Sequence, residues 1–171
     1  MPYSYNYFKD DFRDHIIKNF SSDIKILDVG PGSGSYYDLL CKDFINIDAV
    51  EVYEPYIYQF ELRDKYKNVY NQDILEFNYN SYNYLILGDV LEHLSIEDAQ
   101  NLLADLTLKN IYCMVAIPYE MEQDAVGGNI YEIHKQSDLT IFNFTEKYPL
   151  MRSFKYNGYY GLYLNYNFLW I

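Results

Sequence analysis

Three glycines at every second position, Gly30, Gly32 and Gly34, close the run ILDVGPGSG at residues 26–34. Removing side chains at this rate lets a chain turn tightly and lets something lie against bare main chain. If the run ends a strand and opens a helix, its N–H groups fall where α/β sheets receive nucleotide-like ligands. A glycine-rich turn without a ligand is the alternative at this point. The spacing separates the ligands. A dinucleotide fingerprint, G-x-G-x-x-G, needs a third glycine at 35 or 37, which hold Ser35 and Tyr37. No G-x-x-x-x-G-K-[ST] follows for a nucleoside triphosphate. The pattern is G-x-G-x-G behind Asp28, which argues against a nicotinamide oxidoreductase.

Two histidines are placed to handle protons. His93 lies just past an apolar run, YNYLILGD, and His134 ends the stretch GGNIYEIH. Either imidazole could act as a general base toward a hydroxyl, or, in the case of His93, cap a helix or contact a cofactor. Tyr119, Glu120, Tyr131 and Glu132 could line a pocket nearby. His15 falls within a helical pattern and reads as structural. No His, Cys or Asp cluster has metal-ligand spacing, so no metal is expected. Cys41 and Cys113 read as small buried apolar residues.

The elements that must position these groups alternate. Phe8, Phe12, Ile16 and Phe20 recur at helical spacing over residues 7–20. Apolar runs at 24–29, 45–52, 67–73, 82–89 and 110–118 read as strands. Helices are expected at 35–42, from Pro55 to about Lys65, and at 95–108, with Ser95 as N-cap and Asp98 three positions on. Between the third and fourth strands only a vestigial crossover fits. Strand–helix alternation implies a parallel sheet wrapped by helices. Residues 119–136 read as a long loop, and 137–147 as another helix. Asn157-Gly158 between two aromatic-rich runs predicts an antiparallel hairpin that closes one edge of the sheet.

In this frame the sequence resembles the class I S-adenosylmethionine-dependent methyltransferases, in their small, single-domain, small-molecule branch. ILDVGPGSGSY is similar to the family's first motif, an acid followed by G-x-G-x-G. AVEVYEPYI, NQDIL and LILGDVLEHL resemble the motifs at the ends of its second, third and fourth strands, in order. GGNIYEIH is similar to a G-N-x-Y-E-x-H segment of some small relatives, although the aromatic residue that often follows there is missing. The resemblance implies an α/β, Rossmann-like, mostly parallel seven-stranded sheet with helices on both faces and an antiparallel C-terminal hairpin. It implies one methyltransferase-like domain over 1–171: an N-terminal cap helix (1–22), a cofactor-binding half (23–118) and a substrate-side loop with the closing hairpin (119–171).

The same resemblance implies S-adenosylmethionine as cofactor and S-adenosylhomocysteine as product. Asp28, Gly30, Gly32 and Gly34 would form the cofactor loop. Glu51 would bind both ribose hydroxyls and Val52 would pack on adenine. Asp73 would accept from the adenine amino group, with Ile74 beside the ring. Gly88, Asp89 and Val90 would flank the methionine end. His93 and His134, candidate bases by their positions in the sequence, are the expected catalytic residues. The implied activity is methyl transfer to an oxygen or nitrogen of a small molecule. The alternative is a non-catalytic cofactor-binding subunit.

Composition bounds the partners. The 171 residues carry a net charge of −12, which repels phosphate backbones. No Lys/Arg cluster offsets it, and the [DNS]-P-P-[YFW] signature of amino-methylating nucleic-acid enzymes is missing, so no nucleic acid is expected. Half the residues are hydrophobic, enough for a sizeable core. No apolar run reaches the roughly 18–20 residues of a membrane span, so no membrane partner is expected. The polar, aromatic N-terminus is unlike a signal peptide, and two cysteines without a disulfide framework suit a reducing compartment. The expected setting is cytoplasmic. The aromatic hairpin and the ending NFLWI could serve as a homodimer surface.

Overall fold

The computed structural model describes residues 5–165. Strands run in the order β3-β2-β1-β4-β5-β7-β6, a mixed seven-stranded sheet with helices around it. The order reverses between β1 and β4, the kind of switch point at which α/β sheets bind ligands. The chain divides into two compact units, 1–86 and 87–171. The division falls inside a strand, β4, rather than in a linker.

The first unit begins with α1 (Lys9–Asn19), followed by β1 (Lys25–Val29), α2 (Ser35–Leu40) and β2 (Asn46–Val50). Then come two short helices, α3 (Glu54–Gln59) and α4 (Leu62–Lys65), the two-residue β3 (Val69–Tyr70) and the start of β4 (Tyr84–Gly88). β1 and β2 pair in parallel from Lys25↔Asn46 to Val29↔Val50, and β2 pairs in parallel with β3. Ile26, Leu27, Val29, Ile47, Ala49 and Val50 are buried, as expected for strands covered on both faces. α1 presents Phe12 and Ile16 to this core, and Phe12 meets the rings of Tyr36 and Tyr84 at 6.0 Å.

Two expectations change here. The single helix from Pro55 to Lys65 is broken by Glu61, whose φ of 51° is left-handed. Glu61 ends α3 as a glycine commonly does, with its N–H on the Tyr58 carbonyl, yet no glycine or proline marks the break. Cys41 is exposed, because α2 stops at Leu40 and the next position leaves the buried face. The segment between β3 and β4 holds turns at Asp73–Phe77 and no helix, in line with the short gap.

The second unit takes the end of β4, a single 3₁₀ turn at Leu91–His93, α5 (Ile96–Leu108), β5 (Tyr112–Pro118) and a second 3₁₀ turn at Ile130–Glu132. α6 (Ile141–Lys147), β6 (Met151–Tyr156) and β7 (Tyr160–Asn165) complete it. Ser95 caps α5 by accepting the Asp98 N–H at 3.1 Å. α6 starts four residues later than expected, because Thr140 and Asn143 form a reciprocal capping box that fixes its first turn. β7 runs antiparallel to both β5 and β6, the expected hairpin. Asn157 Oδ1 holds the turn by accepting the N–H groups of Tyr159 and Tyr160. All six residues of β7 are buried. β6 carries Arg152, Lys155 and a bulge between Ser153 and Lys155, devices that protect a sheet edge. The ending NFLWI lies outside the described residues. Among those described, no helix is long and apolar enough to cross a membrane.

Candidate functional site

The first unit holds the glycine loop. Gly30, Gly32 and Gly34 have φ of 57°, 52° and 81°, all left-handed, so each position needs the freedom of glycine. A Cβ at Gly34 would sit 3.1 Å from Lys65 Cδ. Lys65 braces the loop: its Nζ donates to the Ser33 carbonyl at 3.0 Å and to Asp38 at 3.1 Å. The Gly30 N–H continues the sheet ladder to the Val50 carbonyl at 2.9 Å. Gly30 and Glu51 therefore leave the sheet side by side, each one residue past a paired strand end.

Glu51 is 4% exposed, and its Oε1 accepts the Tyr53 N–H at 2.8 Å. Asn71 Nδ2 donates to the carbonyls of Glu51 and Val52, tying the end of β2 to the chain leaving β3. Asp73 Oδ1 accepts the Leu75 N–H at 2.9 Å, and Ile74 is buried. Asp28, 1% exposed, does not face the solvent. Its Oδ2 accepts the Tyr66 hydroxyl at 2.5 Å, and Oδ1 has no hydrogen-bond partner among the described residues. Burial pushes the Asp28 carboxyl up to about 7, against the opposing pull of Tyr66 and Lys9.

The second unit holds a separate polar cluster. β4 ends at Gly88, and Asp89 adopts a left-handed φ of 56° while its N–H reaches the Ala116 carbonyl. Val90 is buried. The 3₁₀ turn then presents Glu92 and His93. The 121–136 loop folds onto this turn. Glu92's carbonyl accepts from the N–H groups of Lys135 and Gln136. Gln136 Nε2 donates to the Leu91 and Leu94 carbonyls, and its Oε1 accepts from the Tyr148 hydroxyl. Gln123 Nε2 donates to Glu132 twice, through the carbonyl and the carboxylate.

This lacing brings the two histidines together. Their ring centroids lie 4.8 Å apart, edge to face. His93 Nδ1 lies 3.2 Å from the Ile133 carbonyl, and His134 Nδ1 lies 2.8 Å from the Met121 carbonyl. A carbonyl only accepts, so each Nδ1 carries the proton and each Nε2 keeps a lone pair. Burial lowers both imidazoles, His93 to about 4. Glu92 is 1% exposed, and burial followed by the charge of Asp89 holds its carboxyl well above the usual range.

The sequence-derived residues thus divide into two groups. Asp28, the three glycines, Glu51, Val52, Asp73 and Ile74 belong to the first unit. Gly88, Asp89, Val90, His93 and His134 belong to the second. Sequence spacing misses Tyr66 as the partner of Asp28, and it misses Glu92 beside the histidines. One ligand atom from each of Glu92, His93 and His134 lies within 4.8 Å of the other two. No local motif could reveal this, because the two histidines lie 41 positions apart in the sequence. His15 sits on α1, with its carbonyl accepting from Asn19, as a structural residue does.

No protein-family model matches the chain, and no curated protein is detectably similar to it in sequence. Solved structures are similar in fold. An S-adenosylmethionine-dependent methyltransferase from Clostridium acetobutylicum ATCC 824 superposes with a TM-score of 0.66 at 15% identity, over 94% of this chain and 91% of that one. A SAM-dependent methyltransferase from Archaeoglobus fulgidus gives 0.56 at 22% identity, over 84% and 67%. The 1,6-didemethyltoxoflavin-N1-methyltransferase of Burkholderia thailandensis, with its substrate and S-adenosylhomocysteine bound, gives 0.65 at 12% identity, over 93% and 77%. The fold is therefore the Rossmann-like fold of these methyltransferases.

Proposed function

We propose that the protein is an S-adenosylmethionine-dependent methyltransferase that moves a methyl group to an oxygen or nitrogen of a small-molecule acceptor. The observation that carries this reading is the pairing of a triple left-handed glycine loop with a buried carboxylate at the adjacent strand end. The three fold neighbours named above, each a methyltransferase, support it.

The residues fit an adenosyl cofactor. The loop offers main chain where even a Cβ at Gly34 would crowd Lys65. Glu51 is assigned to the ribose hydroxyls, Val52 to packing on the adenine, and Ile74 to a place beside the ring. Asp73 is assigned to the adenine amino group, and Gly88, Asp89 and Val90 to the methionine end. Asp28 holds the loop's root rather than touching the ligand, since its carboxylate is buried on Tyr66. When bound, S-adenosylmethionine supplies a methyl carbon already activated by a positive sulfur. The protein's own contribution is then positioning and water exclusion. His93 and His134 are assigned to the acceptor side, where unprotonated Nε2 atoms suit an O–H or N–H nucleophile. The −12 charge supports a small acceptor rather than nucleic acid. Two cysteines without a disulfide framework favour a reducing, cytoplasmic setting for the reaction.

Calorimetric titration tests this. Saturable binding of S-adenosylmethionine and S-adenosylhomocysteine, no binding of NAD, and loss of both in Glu51→Ala are expected. Binding that survives Glu51→Ala, or a preference for NAD, contradicts the assignment.

A further inference from the structure

We propose that Glu92, His93 and His134 form a binding site for one divalent first-row transition-metal ion. Glu92 supplies the first argument. Both of its carboxylate oxygens are buried and lack a hydrogen-bond partner among the described residues, and the residue is 1% exposed. Buried carboxylates left bare are costly, and a ligand that satisfies them removes the cost. Asp89 and Glu132 add negative charge around it rather than compensating it. Such surroundings favour a cation over an anion.

The histidines supply the second, independent argument. Each is oriented by an Nδ1–H donated to a backbone carbonyl, of Ile133 and of Met121. That arrangement fixes the tautomer and leaves an Nε2 lone pair to ligate, as in histidines that bind metals. Three ligand atoms, one per residue, fall within 4.8 Å of one another. Around an ion with bonds of about 2.0–2.1 Å, tetrahedral ligands stand roughly 3.3 Å apart. Small side-chain rotations close that difference.

The donor set selects the ion. Two imidazoles and one carboxylate suit Zn²⁺, Co²⁺ or Mn²⁺ rather than Mg²⁺ or Ca²⁺, which prefer oxygen alone. Three protein ligands leave positions open, the mark of a reactive rather than a purely structural site. Both histidines are only partly buried, so an incoming oxygen can reach the ion. The ion site stands on the second unit's own residues. Its use, to hold the oxygen of a hydroxyl-bearing acceptor, rests on the methyl-transfer reading. In that use the histidines serve as ligands and not as proton acceptors.

The test uses tag-free full-length protein stripped with chelator and titrated with Co²⁺, Zn²⁺ and Mg²⁺. One equivalent of Co²⁺ should bind with visible d–d absorption, Zn²⁺ should displace it, and equimolar Mg²⁺ should not. Glu92→Gln and His134→Gln, verified as folded by circular dichroism, should each weaken Co²⁺ binding at least about tenfold. Zn²⁺ should also raise the thermal midpoint of the parent protein and not of these variants. Absence of saturable Co²⁺ binding, or binding unchanged in both variants, overturns the site. S-adenosylhomocysteine titration of the same samples separates the two claims. Metal binding without it leaves the ion site standing and removes the methyl-transfer reading; the reverse removes only the ion.

Discussion

The Tyr66 hydroxyl donates to Asp28 Oδ2 at 2.5 Å, joining α4's end to β1 across 38 residues of sequence. The Tyr66 hydroxyl also lies beside the glycine loop, 3.6 Å from where a Cβ at Gly34 would stand. Because burial raises Asp28 to about 7, the folded state holds a proton that the unfolded chain releases near pH 4. Between these values the native state binds more protons, so the stabilisation is complete below about pH 4 and is lost as pH rises to about 7. The ceiling on that loss is on the order of 4 kcal/mol. Asp28→Asn cannot titrate. Urea denaturation from pH 4 to 8 should show a flatter stability profile in this variant, with its relative advantage largest at pH 8.

Tyr66→Phe removes the donor and leaves Asp28 Oδ2 bare. The expected cost is about 1–3 kcal/mol, larger at pH 8, where the carboxylate is charged, than at pH 5. Denaturation midpoints at the two pH values check this.

Gly34→Ala places a methyl at a φ of 81° and 3.1 Å from Lys65 Cδ. The left-handed conformation alone costs roughly 1–2 kcal/mol. The chain should still fold, with circular dichroism unchanged, while S-adenosylhomocysteine affinity falls at least about tenfold by calorimetry.

Gly161 tests packing rather than ligand binding. A Cβ there would meet Tyr119 Oη at 2.0 Å, between Tyr119 and Tyr163, whose hydroxyls bond to each other at 2.5 Å. Both rings must shift to admit it, so Gly161→Ala should lose about 1–3 kcal/mol by urea denaturation.

What could be read from sequence depended on how local its cause was. The buried strands announced themselves as apolar runs, Ser95 as a cap, and Asn157-Gly158 as a hairpin, since each rests on neighbouring residues. Gly30, Gly32 and Gly34 were legible because their spacing reports backbone conformation directly. The break at Glu61 was hidden, because a glutamate in a left-handed conformation carries no compositional mark. The start of α6 at Ile141 was hidden behind a Thr140–Asn143 box, in which asparagine replaces the usual acid or glutamine. Tyr66–Asp28 and Glu92–His93–His134 were beyond reach, for they exist only once distant segments fold together.

Methyl transfer by this protein requires an adenosyl group lying against the main chain at 30–34. Amide NMR of isotope-labelled protein, titrated with S-adenosylhomocysteine, tests this at the residues concerned. The amide signals of Gly30, Gly32, Gly34, Glu51 and Ile74 should shift saturably and together, and those of the β6 edge, Arg152 and Lys155, should stay in place. Saturation that leaves the three glycine signals unmoved would contradict the account.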